Sequence, residues 1–525
     1  MATNNKTETQ SVDYKKFYQL LDAASKLADE ANYSEALKIV NQMKTLGSHY
    51  LFSYYVSGLL INIGDALSDL RIIEEGKQLL ESDFKRIITI DDLAPSANYN
   101  LANAYLFTAN LEKNNKLFLV GQNNLNSAKF HYREAVNLEK NSQDLAKIFV
   151  NLGNCLDKLG RVVEALECYD KALSIKPNFG MALGNKGKEL LYYAELCGEH
   201  QARLILEAYS LLKLATLEVT PEAARHFSEL MKYIENKAQK LPLNNPPKLP
   251  GYKIESKTKL EEYLINFCLK NGLYLNVCRF CQECNAAIGD TLTIKTMIVP
   301  ANDKSYLVLS SYLNEIKQDF VTARLLLILS RYPKINLDFF DKRVTIIDTL
   351  DNTVNNVYIQ LAKAAFTTFY NILDKLAFFI NDYLQLGIKE EYINFSNIWY
   401  ADKSRDNIKQ KVINSNNASL NALFDIHKDL DYGMYNQLKK TRNALTHRFV
   451  KIQINPQLQN DRIMSEEMLV KQTLELAQVV RNAIVYLLQF VHLEEIKKSP
   501  KNKKTVQIIA HAIPDKSKSR RKKLR

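Results

Sequence analysis

Ala146-Lys147-Ile148-Phe149-Val150-Asn151-Leu152-Gly153-Asn154-Cys155-Leu156 leads to a turn at Gly160, and Glu164-Ala165-Leu166-Glu167-Cys168-Tyr169 then runs on to Ala172 and Pro177. The stretch 146–179 reads as two short helices folded back on each other. Leu152, Gly153 and Leu156 stand where the second helix must approach closely, and Ala165, Tyr169 and Ala172 form the answering face. Pro177 ends the pair, because its ring blocks the preceding turn and it lacks an N–H to donate. One helical hairpin cannot bury its apolar face alone, so several must stack.

The spacing resembles a tetratricopeptide repeat, and weaker copies surround it. Residues 17–45 offer Leu20, Leu27 and Ala36, and residues 54–83 offer Gly58 and Ile61. Asn98–Tyr105 pairs with Tyr132 and Ala135 across an insertion of about fourteen residues, and a further first helix runs over Met181–Leu196. A stacked array presents a concave surface suited to a protein or peptide partner. The array, expected over 15–240 behind a disordered stretch 1–14, ends at a linker spanning 241–254. There Pro242, Pro246, Pro247 and Pro250 place four of the chain's 12 prolines in one extended segment.

Composition supports helix throughout. Gly and Pro number 16 and 12 in 525 residues, about one in twenty where about one in eight is usual. The net charge of +12 is local: from Lys497 to Arg525 there are twelve Lys and Arg against one acid, Asp515, which leaves about +1 for the body. This basic tail, 496–525, with Lys516, Lys518, Arg520, Arg521, Lys522 and Lys523, is expected to be disordered, a solvated polycation that meets RNA phosphates without sequence preference. The polar opening Met1–Gln10 argues against secretion, no run is expected to be long and apolar enough to span a bilayer, and an odd count of 7 cysteines suits a reducing cytoplasm.

Four helical patterns follow the linker, at roughly 303–332, 352–386, 417–448 and 464–495, within a helical domain expected over 255–495 with its core at about 303–495. The second, from Tyr358 through Phe366, Phe369 and Tyr370 to Tyr383, is apolar on nearly every side and belongs at the centre of a four-helix bundle. The third carries Thr441-Arg442-Asn443-Ala444-Leu445-Thr446-His447. Arginine, a polar residue and then a histidine five positions after the arginine resemble the signature of HEPN ribonucleases. Phe369-Tyr370-Asn371-Ile372-Leu373-Asp374-Lys375-Leu376 and Leu420-Asn421-Ala422-Leu423-Phe424-Asp425-Ile426-His427 resemble two preceding signatures of a HEPN subfamily fused to tetratricopeptide repeats. The chain departs from that subfamily at Thr446, where Glu is common.

The resemblance implies a metal-independent endoribonuclease that requires no cofactor and leaves 2′,3′-cyclic phosphate and 5′-OH ends. Histidine titrates near neutrality and can move the proton, while arginine is always charged and can hold the phosphate. Arg442 and His447 are therefore the candidate catalytic pair, with Asn443 orienting. On a straight helix Arg442 and His447 point about 140° apart, whereas Asn443 and His447 share a face. Either the long Arg442 side chain reaches round, or a second subunit contributes, as in the symmetric dimers of the family. Asp374 and Lys375, with Asn371 one turn away, are supporting candidates, and an exposed ion pair accounts for them equally well. His427 reads as a core histidine.

Cys278, Cys281 and Cys284 have zinc-like spacing, but a closed structural site needs four ligands; Cys268 is the nearest fourth, and reduced cysteines are the alternative. No phosphate-binding glycine loop, zinc-protease helix or serine-hydrolase elbow is present. The expected protein is all-α: a repeat solenoid regulating a ribonuclease bundle, as in toxins and antiviral effectors. The competing expectation is a noncatalytic adaptor or sensor with an inert dimerising bundle.

Overall fold

The computed structural model describes residues 13–47, 49–112, 122–197, 200–248, 254–280, 285–460, 462–498 and 505–509. Two compact units divide the chain: Met1–Glu189 with Ala208–Lys237, and Leu190–Glu207 with Ala238–Arg525.

The first unit is built from helical hairpins. Its helices are α1 (Tyr14–Asp29), α2 (Tyr33–Met43), α3 (Tyr50–Ala66), α4 (Leu70–Ile87), α5 (Ala94–Leu111), α6 (Gln122–Leu138), α7 (Ser142–Lys158) and α8 (Val162–Ile175). The first part of α9 (Gly180–Cys197), the last part of α10 (Gln201–Ala215), and α11 (Pro221–Lys237) complete it. Asn141 caps α7 by accepting from the Gln143 N–H at 2.8 Å. A Cβ built on Gly153 would lie 2.5 Å from Tyr169 Cε1, so only glycine allows α7 and α8 their close approach. Polar side chains join successive hairpins. Asn103 Oδ1 accepts from the Tyr132 hydroxyl at 2.6 Å and from Asn151 Nδ2 at 3.1 Å. Asn154 Oδ1 likewise accepts from Tyr169 at 2.9 Å and from Asn185 at 2.8 Å.

The second unit holds α12 (Lys259–Asn271), α13 (Ser305–Arg331), α14 (Val357–Tyr383), α15 (Gln410–Ser415), α16 (Ala418–Asp431), α17 (Asn436–His447) and α18 (Glu466–Lys497). α13 packs on α14, and α18 packs on α14 and α16, which makes a four-helix bundle. Phe366, Phe369, Leu373 and Leu376 of α14 are fully buried, as their all-round apolar pattern requires.

Two expectations are corrected. The third helical pattern is two helices, α16 and α17, separated at 432–435. The chain turns there because the Gly433 N–H returns to Lys428 and Asp429 carbonyls at 3.1 Å, and a Cβ on Gly433 would lie 2.8 Å from Asp429 Cα. Second, α18 is by length and composition apolar enough to cross a bilayer, yet its most apolar 18-residue window is 83% buried, as befits a bundle core.

Two small sheets add to the helices. β1 (Thr296–Pro300) pairs antiparallel with β4 (Thr505–Ile509), Ile298 opposite Gln507, a third correction, since this apolar part of the tail expected to be disordered is held as a strand. β2 (Lys451–Ile452) and β3 (Ile463–Met464) form a short parallel pair. Leu273 and Asp290 are pinned to α13 by Arg324, which donates to both oxygens of Asp290 at 2.9 and 2.7 Å and to the Leu273 carbonyl at 2.8 Å. Asp290 also accepts the Leu275 N–H at 2.8 Å.

Candidate active site

α17 is amphipathic and short, and its buried face is Leu438, Thr441 and Ala444. The Thr441 hydroxyl donates to Gln472 Oε1 of α18 at 2.7 Å, and Ala444 joins an apolar cluster with Ile359 and Ala362 of α14. The chain beyond α17 is held as well, because Lys363 Nζ donates to the Val450 carbonyl at 2.9 Å. With that face committed, Asn443 and His447 are exposed and Arg442 is half-buried. His447 is the last residue of the helix, and among the described residues no hydrogen bond or ion pair engages its imidazole.

Arg442 is held from the α14 side. Its guanidinium carbon lies 5.3 Å from the Tyr370 ring centre, a cation–π distance. Asp374, one turn further along α14, feels both Arg442 and Lys439. Burial pushes the Asp374 carboxyl above its ordinary value, against the lowering effects of the Phe395 N–H, which it accepts at 2.9 Å, and of those two cations. Arg442 Nη1 then reaches round its own helix to Asn443 Oδ1 at 3.1 Å. Asn443 and His447, four residues apart, share a helix face, so the guanidinium is carried toward the histidine's side. The buried Arg442 Nε has no partner among the described residues.

The other candidates separate. Lys375 faces α13, where it pairs with Asp319 at 2.6 Å and with Glu315. Burial, which alone lowers its pKa, is outweighed by those two carboxylates, so the ammonium is held above its ordinary value. Asn371 is exposed on α14. His427 is fully buried, its Nε2 3.0 Å from the Tyr400 hydroxyl and its ring stacked on Trp399. Burial drops its pKa to about 4, with Arg405 and Lys439 acting in the same direction and Asp431 against it.

Sequence reasoning missed the platform under the motif: Tyr370, Phe395 and Lys439. Lys439, one turn before Arg442, pairs with Asp431 at 2.6 Å, and Asp431 also takes Arg405 at 2.6 Å. Its i, i+3 spacing from Arg442 was the available signal. Of the cysteines, Cys268 and Cys278 are buried, and burial pushes the Cys268 thiol up to about 12. Cys281 and Cys284 lie outside the described residues, as do residues 1–12 and the tail residues Lys516, Lys518, Arg520, Arg521, Lys522 and Lys523.

Residues 301–494, spanning α13 to α18, match the LA2681-like HEPN family model, and residues 146–179 match that of the tetratricopeptide repeat. Among solved structures, the chain is similar to a MamA protein at 18% identity, covering 44% of this chain and 99% of that one with a TM-score of 0.24. It is also similar to PilF of Pseudomonas aeruginosa at 12% identity, covering 43% of this chain and 97% of that one with a TM-score of 0.29. No curated protein matches the chain. The chain is thus an all-helical protein that carries a tetratricopeptide repeat at 146–179 and an LA2681-like HEPN domain at 301–494.

Proposed function

We propose that the protein is a metal-independent endoribonuclease. The observation that carries this reading is the Arg442–Asn443 hydrogen bond at 3.1 Å, which leads the guanidinium toward the exposed face where the His447 imidazole stands without a partner among the described residues. In the proposed reaction His447 accepts the proton of the RNA 2′-OH, whose oxygen attacks the adjacent phosphorus. Arg442 stabilises the charge that develops on the phosphoryl oxygens. The P–O5′ bond breaks, the leaving oxygen takes the proton that the His447 imidazole had accepted, and the products carry 2′,3′-cyclic phosphate and 5′-OH ends. Asn443 orients the pair, while Asp374 and Tyr370 hold the arginine. The chemistry uses no cofactor.

A homodimer through the HEPN domain fits this reading, since a second copy can set its own Arg442 and His447 around the same scissile phosphate. The basic tail adds phosphate contacts. The repeat unit binds a protein or peptide that governs the nuclease, in a cytoplasmic toxin or antiviral role.

The test is to incubate the full chain with total RNA in EDTA beside Arg442→Ala and His447→Ala. The expected result is cutting by the parent and a loss of about 10²- to 10⁴-fold in each variant, with cyclic phosphate at the new ends. Equal cutting by all three overturns the proposal. One observation favours the second reading, a noncatalytic adaptor. Arg481-Asn482 makes the same 3.1 Å contact while fully buried, its guanidinium donating to the Tyr274 and Asn276 carbonyls. An arginine of that kind is structural, and absence of cutting in a dimeric parent that causes no toxicity on expression identifies this case.

A further inference from the structure

A cavity of about 450 Å³ lies in the second unit, between the end of α9, Val277 with the stretch 292–298, and the C-terminal half of α18. No residue of α14 or α17 lines it, so it is separate from the candidate active site. Its volume falls in the range of small-molecule sites, and its walls are largely apolar, with Leu196, Val277, Leu292 and Leu488 among them.

Gln489 interrupts those walls. It is 2% exposed, its Nε2 lies 3.5 Å from Cys197 Sγ, and its Oε1 has no hydrogen-bond partner among the described residues. Buried amide oxygens are almost always satisfied, so an orphan one on a residue that lines a cavity calls for a donor. His492, one turn further along α18, also lines the cavity. Burial lowers its pKa, against the raising effect of the Glu195 backbone, and nearby Lys295 lowers it further, so the imidazole is neutral at physiological pH. A neutral ring that donates one N–H to a backbone carbonyl keeps a lone pair on its other nitrogen.

The carboxylate in the wall is already engaged. Glu495 accepts from the Tyr383 hydroxyl at 2.7 Å, the Ile298 N–H at 2.7 Å and Lys498 at 2.6 Å. The α18 wall therefore offers acceptors and little unspent charge. We propose that this cavity binds a small, uncharged, predominantly apolar molecule that presents an N–H or O–H donor to Gln489 Oε1. The site does not depend on the ribonuclease reading.

Ligand-observed NMR titration of the full chain with matched probes tests it: indole against 1-methylindole, and phenol against anisole. Indole and phenol should saturate, and their methylated partners, which lack the donor, should bind about tenfold more weakly. Gln489→Leu should bring each pair to parity, and Leu488→Trp, which fills the cavity, should remove saturable binding of all four. A parent chain that binds none of the probes saturably, as a cavity holding only water would, overturns the proposal. So does equal affinity within each pair, or a Leu488→Trp variant that binds indole like the parent.

Discussion

Asp290→Ala should be among the most damaging single changes outside the bundle core. The carboxylate receives two hydrogen bonds from Arg324, at 2.9 and 2.7 Å, and one from the Leu275 N–H at 2.8 Å. The arginine side chain is only 4% exposed and the aspartate 19%. Removing the acid leaves a guanidinium in the interior with one remaining acceptor, the Leu273 carbonyl. Breaking a buried pair from one side costs about 3–5 kcal/mol, and the partial exposure of Asp290 argues for the lower end, about 3. For a unit of this size that lowers the melting temperature by about 5 °C. The assay is thermal unfolding of the full chain followed by far-ultraviolet circular dichroism. Asp290→Leu combined with Arg324→Met removes both charges and should recover much of the loss, because no unpaired ion remains. A melting shift under about 2 °C for Asp290→Ala, or strictly additive effects in the double variant, would refute the reasoning.

Gly153→Val should disrupt the repeat, because its Cβ alone would stand 2.5 Å from Tyr169 Cε1; overpacking of this kind costs about 1–3 kcal/mol, measured as earlier proteolysis within 142–175. His427 sets a pH dependence. Its folded pKa of about 4 lies below the ordinary 6.5, so the folded state resists the proton that the unfolded chain takes up. Its contribution is present above about 6.5 and is lost as pH falls toward 4, on the order of 3 kcal/mol in all. Denaturant titrations at pH 7 and pH 4.5 measure that difference, and His427→Gln should flatten it; an unchanged slope in that variant would remove His427 as its source.

The helical hairpin at 146–179 was legible because its packing is written in side-chain size: Gly153 and Ala165 are small where Tyr169 is large. The apolar girth of the 357–383 helix announced a bundle centre for the same reason. The break at 432–435 was hidden, since Tyr432, Met434 and Tyr435 continue an apolar pattern across Gly433 and the turn depends on carbonyls that no side chain advertises. The Arg442, Asn443 and His447 spacing could be read directly. What holds Arg442 could not, because the Tyr370 ring and the Asp374 carboxylate reach it only through tertiary packing. Lys375 was read beside Asp374 from adjacency alone, but neighbours on a helix point about 100° apart, and its partners Glu315 and Asp319 lie on another helix. The cavity was illegible for a similar reason, since its walls come from chain positions as far apart as Leu196, Leu292 and Gln489.

The elbow at Gly433 has a mechanical consequence for the arm that follows it. Had α16 simply continued to His447, each residue gained or lost along that rod would have spun Arg442 about 100° off its tyrosine platform. The four residues 432–435 break that rod instead, so the arm's bearing is set where it is clamped, at Thr441 on Gln472 and at Val450 on Lys363. Length changes upstream of the break can therefore be absorbed there without turning the arginine away, provided those two clamps hold.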